Sequence, residues 1–515
     1  MRQGPTGNDL YLPTGREVRR WTRRQGSHHS ESTLSDSMGD LYTGALAVLM
    51  GAFMTFSLAS SLADRASAQR GGGAGPGLDT GWLVVLPAVA VTAALVDLAA
   101  RLGPVSLPAA QATWWLPMPV DRRTLLRPAA LGWLIASTLF GVIEGTAIAL
   151  AKGTAAGLLA TTAVLGAAAT VILIAFTGLV QHRPATHRAV QMAADVVVAL
   201  TPIGGIVFAL TGWASPDPGD SLFWVSLAMV ATACALTPAW DRRLGRIPGA
   251  SLRSRGAIAD EALVAVLSLD PRGLGRALAD RSEPAQRRRS ATLSWLTRIP
   301  ARWRPMTTLV VSDLLLLVRT PRHLAQAGIS ACLPALALLV PEPDAGAVCV
   351  TVLIGAYTGA LGTAEGARRA HANPSLDAIL PLGQRQARAA RLVVPAVTML
   401  LWWAPVGGLL AWRYDSAGWI VLGGLCAPLW AAAVVRAAYR PVPDFTGPQI
   451  DTPMGTLPPG LSAVATQGPD FAILGSSPVM AAVILGVVPP TLLVLQLVLS
   501  LAAIAFMTRP PSRAA

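Results

Sequence analysis

The sequence predicts an all-α, polytopic membrane protein of about twelve transmembrane helices in two six-helix halves. Three observations carry this. Of the 515 residues, 53% are hydrophobic and only 13% charged, against roughly 25% charged in a soluble domain; mean hydropathy is +0.51. Apolar runs of about 20 residues recur along the chain, each long enough for a helix to cross a hydrocarbon core. Finally, a polar segment at residues 114–128 returns in degraded form at 378–392. Aligning Leu116-Pro117 on Leu380-Pro381 also brings Arg127 onto Arg391. Each copy lies between the second and third apolar runs of its half, which points to a duplicated unit.

In chain order, residues 1–41 are polar and arginine-rich, with Arg19-Arg20 and Arg23-Arg24. No short apolar region and no small-residue cleavage site follow, so a twin-arginine export signal is rejected in favour of a cytoplasmic tail. The first half, 42–240, contains runs at 42–62, 81–100, 129–150, 158–180, 192–213 and 222–240. A basic linker fills 241–306. The second half, 307–515, contains runs at 324–340, 346–363, 392–412, 419–435, 471–488 and 491–507. Helices are required because lipid offers the backbone no hydrogen-bond partner. The last two runs are separated only by Pro489-Pro490 and read either as two crossings or as one re-entrant hairpin.

Alternate loops carry the arginines. The inner set holds Arg101 to Arg127, Arg183, Arg188, the linker, Arg368 to Arg391, Arg436, Arg440, Arg509 and Arg513. The outer set holds only Arg65, Arg70, Lys152 and Arg413. The positive-inside rule then puts both termini in the cytoplasm of a multi-pass protein of the cell membrane. Within the linker, 258–269 has an apolar face and ends at Asp270-Pro271, and Arg287-Arg288-Arg289 reads as a solvated or headgroup-facing stretch rather than a binding site. Residues 308–318 are apolar but too short to span, which fits an interfacial helix before the seventh run.

The two Leu-Pro loops are the candidate functional elements. Pro117 and Pro119 break a helix arriving from the membrane. A short crosswise helix is expected over 120–126, with Asp121 in its first turn, Arg122 and Arg123 exposed, and its end at Arg127 ahead of Pro128. In the second loop Ser375 caps a short helix reaching Leu380, Pro381-Leu382-Gly383 turns, and Gln384 enters the ninth run. Arg385 is the basic residue beside that turn. A basic loop placed by the positive-inside rule is the plainer reading; repetition favours docking of a cytoplasmic partner.

This layout resembles the permease subunits of ABC exporters with six spans per transmembrane domain, here as two fused domains. Glu365-Gly366, Leu380-Pro381 and Arg385 match the family's loop after span two in the second half. Leu116-Pro117, Pro119, Asp121, Arg122 and Arg123 match it in the first half, where no acid-glycine pair precedes them. The resemblance implies that these loops touch a separate ATPase subunit. A P-loop needs lysine within Gly-x-x-x-x-Gly-Lys-Ser/Thr, and the sole lysine, Lys152, follows Ala151. Any ATP is therefore expected to act through the partner, and the chain itself is expected to be no enzyme and to hold no cofactor or metal. Glu144 lies about two-thirds of the way across the third run. A charge at that depth costs a few kcal/mol, so it should face a cavity or a partner; it reads either as the candidate for a substrate pathway or as a neutral, hydrogen-bonded glutamic acid. Cys234, Cys332, Cys349 and Cys426 fall in apolar runs as thiols without metal spacing. Two other classes stay open: a secondary, major-facilitator-like transporter, and a membrane enzyme acting on lipid-linked substrates, which would use acids such as Asp64 and Asp79.

Overall fold

The computed structural model describes residues 13–29, 49–57, 59–61, 64, 80–153, 156–215, 221–267, 275, 277–278, 293–340, 343–373, 375, 380–440, 450–452, 455–457 and 468–509. Their regular structure is helical, apart from a ribbon in which β1 (Ile450–Thr452) pairs antiparallel with β2 (Gly455–Leu457). Among the described residues, 9 helices are long and apolar enough to cross a membrane, so the protein is an all-α polytopic membrane protein.

The first half begins with α1 (Gly15–His29). It continues through α2 (Thr80–Leu102), the short α3 (Ala109–Trp115), α4 (Arg122–Ala151), α5 (Ala156–Val180), α6 (Pro184–Thr211), α7 (Ser221–Arg243) and α8 (Gly249–Leu267). The second half has α9 (Arg304–Arg319), α10 (Pro321–Leu338), α11 (Ala345–Leu361), α12 (Glu365–Ala372), α13 (Gln384–Arg413), α14 (Gly418–Ala438), α15 (Pro469–Gly475), α16 (Ser477–Leu485) and α17 (Pro490–Thr508).

Three of the twelve expected crossings are not among those nine. Residues 42–48 of the first run lie outside the described residues, and a shorter apolar helix covers Leu49–Ser61. In α10 the first turn carries Arg322 and His323, and Gln326 follows, which shortens its apolar length. The eleventh run is broken at Ser476 into α15 and α16. Pro478 has no N–H for the Leu474 carbonyl, and the Ser477 hydroxyl donates to that carbonyl instead (2.7 Å). The Gly475 carbonyl accepts from the buried Gln496 amide of α17 (3.1 Å). Gly486 then turns the chain in the left-handed region (φ 69°) ahead of Pro489-Pro490.

The first Leu-Pro loop departs from expectation. There is no separate crosswise helix over 120–126. Asp121 caps the third-span helix itself by accepting from the Arg123 N–H (3.1 Å), and α4 runs 30 residues from Arg122 straight through Pro128. Proline's bias against helix at Arg127 is overcome by contacts remote in sequence. Arg127 and Arg123, one turn apart, are both held by Asp241 at the end of α7, and Leu125 and Leu126 are fully buried between them.

Within residues 1–41, α1 packs on the start of α4. Val18 is buried, the Gly15 N–H donates to Thr124 Oγ1 (3.2 Å), and Arg19 donates to the Leu125 carbonyl while lying 5.4 Å from the Trp115 ring. The expected helix before the seventh run exists as α9. It stops at Thr320 (φ −116°, ψ 74°) and does not lengthen α10.

The two halves repeat one packing scheme. α1 lies against α4 as α9 lies against α13. α4 packs on α5 as α13 packs on α14, and α5 on α7 as α14 on α17. Both third-span helices, α4 and α13, are 30 residues long. The halves meet where α6 packs on α10. There Gly205 admits Leu86 and Leu336 so closely that a Cβ on it would lie 2.8 and 2.7 Å from their side chains.

Candidate functional site

In the first loop, α2 ends at Gly103 in the left-handed region (φ 76°), a conformation natural to glycine. The Ala100 carbonyl accepts from the His187 Nε2–H (2.7 Å) and from Arg255 of α8 (2.7 Å), and the Gln181 amide donates to the Val105 carbonyl (2.7 Å). α8 lies directly against the loop: the Ala109 N–H donates to Asp260 Oδ2 (3.1 Å). A Cβ on Gly256 would come within 1.7 Å of the Leu107 oxygen. α8, within the central linker, thus packs on the first half and clamps the loop from one side.

Each predicted contact residue has a definite place. Leu116 packs inward with Met118 and Val120 against Trp115 and Leu125, while Pro117, Asp121 and Arg122 are exposed. Arg123 is half-buried on Asp241. In the second loop Pro381 and Arg385 are exposed, and Leu380 packs with Leu382 against Leu309, Ala387 and Ala390. Residues 376–379 of the helix expected from Ser375 lie outside the described residues. As anticipated, Gln384 opens the ninth-run helix; the Gly383 N–H before it donates to Gln386 Oε1 (3.2 Å). The aligned arginines, Arg127 and Arg391, both pair with aspartate, but Arg391 meets Asp313 of α9, both side chains being buried. Gly366, the glycine of the acid-glycine pair, leaves room for this pair: a Cβ there would lie 1.9 Å from Asp313 Oδ1.

Glu144 faces a half-open cavity of about 790 Å³ lined by α2, α4, α5 and α6 and touched by the first turn of α7. The wall is mostly apolar, with Val85, Val89, Ile148, Leu165 and Phe176 among its residues. Its depth depends on a close helix crossing. Gly141 and Gly145 on α4 meet Gly166 and Thr162 on α5, where added Cβ atoms would fall 2.3 Å from backbone oxygens. The Gly-x-x-x-Gly spacing that allows such crossings is visible in the sequence, and a search for it would have found this seam. Thr92 was not foreseen: its hydroxyl lies 2.7 Å from both Glu144 carboxylate oxygens, and no local signal links residues 52 positions apart. The cavity lies inside the first half.

No curated protein and no solved structure matches the chain. One family model does, over residues 77–448, from the start of the second run to just past the tenth. That span exceeds half of the sequence, and the chain belongs to the family of unknown function DUF6297.

Proposed function

We propose that the chain is the membrane permease of an ABC-type exporter, moving a substrate across the cytoplasmic membrane with ATP hydrolysed by a separate ATPase subunit. The observation that carries this reading is the repeat: each half lays a short helix over the start of a 30-residue third-span helix, with a polar Leu-Pro loop just before it. Both loops lie at the arginine-rich ends of the helices, which the charge distribution assigns to the cytoplasm. Leu116 and Leu380 are packed within the protein, so the ATPase contact falls to the exposed rim: Pro117, Asp121 and Arg122 on one loop, Pro381 and Arg385 on the other. Membrane lipids are the other partner, and nothing in the charge pattern calls for nucleic acid.

The test is affinity purification from native membranes. An ABC ATPase without a membrane domain of its own should co-purify, and Arg122→Glu combined with Arg385→Glu should lower its recovery several-fold while insertion is unchanged. Recovery equal to wild type refutes docking at these loops. A secondary transporter is the second reading, and Glu144 favours it: an acid lining a cavity within a span suits coupling to an ion gradient. Uptake into proteoliposomes driven by a proton gradient without ATP would select it.

A further inference from the structure

We infer that the first half alone carries a ligand site, and that it takes an amphiphile with an apolar body and one protonated amine docked on the Glu144 carboxylate. The volume, about 790 Å³, falls within the roughly 300–1,000 Å³ usual for small-molecule sites. The surface of the wall is overwhelmingly apolar, so the body of the ligand is apolar. At mid-depth the balance of polar groups is one-sided. A carboxylate offers about four acceptor positions, and the Thr92 hydroxyl, though near both oxygens, has a single proton. The other threonines on the wall spend theirs on backbone carbonyls: Thr162 on Leu158 (3.0 Å), Thr170 on Ser137 (2.8 Å) and Thr177 on Leu173 (2.7 Å). Lys152 is two turns further along α4, about 12 Å from Glu144, and has contacts of its own. What the site lacks is a donor at Glu144, and an ammonium group supplies both N–H donors and the charge that an acid at this depth needs.

The second half repeats the scaffold with two indoles in its core. Trp402 of α13 lies against Gly355 and Gly359 of α11, where Cβ atoms would come within 3.2 and 3.1 Å of its ring, and its indole N–H donates to Ser330 Oγ (3.0 Å). Trp403 is seated against Gly407 and Gly423 and donates to the Trp419 carbonyl (3.0 Å). By the loop alignment Glu144 falls on Gly408, and α13 carries no acidic residue, so the carboxylate has no counterpart there and one amine per chain follows.

The inference rests on the transport reading only for calling the ligand a cargo; binding is measured without ATPase or gradient, so either can fail alone. Full-length protein in phosphatidylcholine nanodiscs is titrated with radiolabelled dodecylamine, with dodecanol and dodecanoate as competitors. Saturable binding of one amine per chain is expected, with the amine preferred over the alcohol by roughly tenfold or more. Glu144→Gln should abolish that preference while dodecanol still binds, which shows that the variant is folded. Filling the chamber with Ala169→Trp should remove both ligands. Competition by added phosphatidylethanolamine would identify a bilayer lipid as the source of the amine, and lack of competition a free amine; both outcomes support the chemistry. Equal affinity for amine and alcohol in the wild type, an unchanged preference in Glu144→Gln, or two amines per chain would overturn the inference.

Discussion

Removing the Asp313 carboxylate should be among the most damaging single changes in the second half. Asp313 and Arg391 are 4% and 6% exposed, so water cannot take the place of either partner. Gly366 packs so tightly on the pair that not even a methyl group fits between them. In Asp313→Ala the guanidinium stays buried beside a small void. Removing one partner of such a pair costs about 3–5 kcal/mol, whereas replacing both by apolar side chains of similar volume is often near neutral. Asp313→Leu with Arg391→Met should therefore recover most of the loss. Both side chains also make further contacts, so a residual loss should remain in the double variant. The free energies come from SDS-titrated unfolding of the wild type, the single variants and the double variant in one detergent. Losses that simply add, or single variants costing no more than the roughly 0–1 kcal/mol of an exposed pair, would refute the reasoning.

Two further predictions concern the first half and the orientation. Gly256→Val should push α8 off Leu107, since even a Cβ would overlap the Leu107 oxygen; the expected result is faster proteolysis between α7 and α9 in purified protein, and an unchanged digestion rate would show that α8 does not clamp the loop. In a variant free of its native cysteines, single cysteines at Ser215 and Ala345 should be labelled from outside intact cells and one at Ser254 should not. Labelling of Ser254 from outside reverses the assigned orientation.

Helix placement was legible because it rests on local physics: runs without charge, ended by arginines, prolines and glycines. The errors arose where a distant residue decided the outcome. Pro128 reads as a stop because nothing near it announces Asp241, which holds Arg123 and Arg127 across the proline. α1 has no apolar run to announce it; among its described residues the buried side is little more than Gly15, Val18 and parts of Arg19 and Thr22. The duplication was visible in the Leu-Pro loops, but the helix laid over each third span, which makes it a structural repeat, has only a basic stretch to mark it in the first half. Glu144 was legible as an anomaly by cost alone. Thr92 and the chamber around them depend on how α2, α4, α5 and α6 stack, which no single segment encodes.

The break at Ser476 has a mechanical consequence. The Gln496 side chain that meets the Gly475 carbonyl also donates to Ser500 Oγ (3.3 Å), and Ser500 donates to the Leu425 carbonyl (2.6 Å). One polar thread thus rivets α15, α17 and α14 at a single level in an otherwise apolar slab. Sliding any of the three along its axis by one helical turn, about 5.4 Å, would strand these groups where neither water nor lipid can replace the lost bonds. The rivet forbids piston-like travel and leaves tilting as a block as the inexpensive way for this end of the molecule to move.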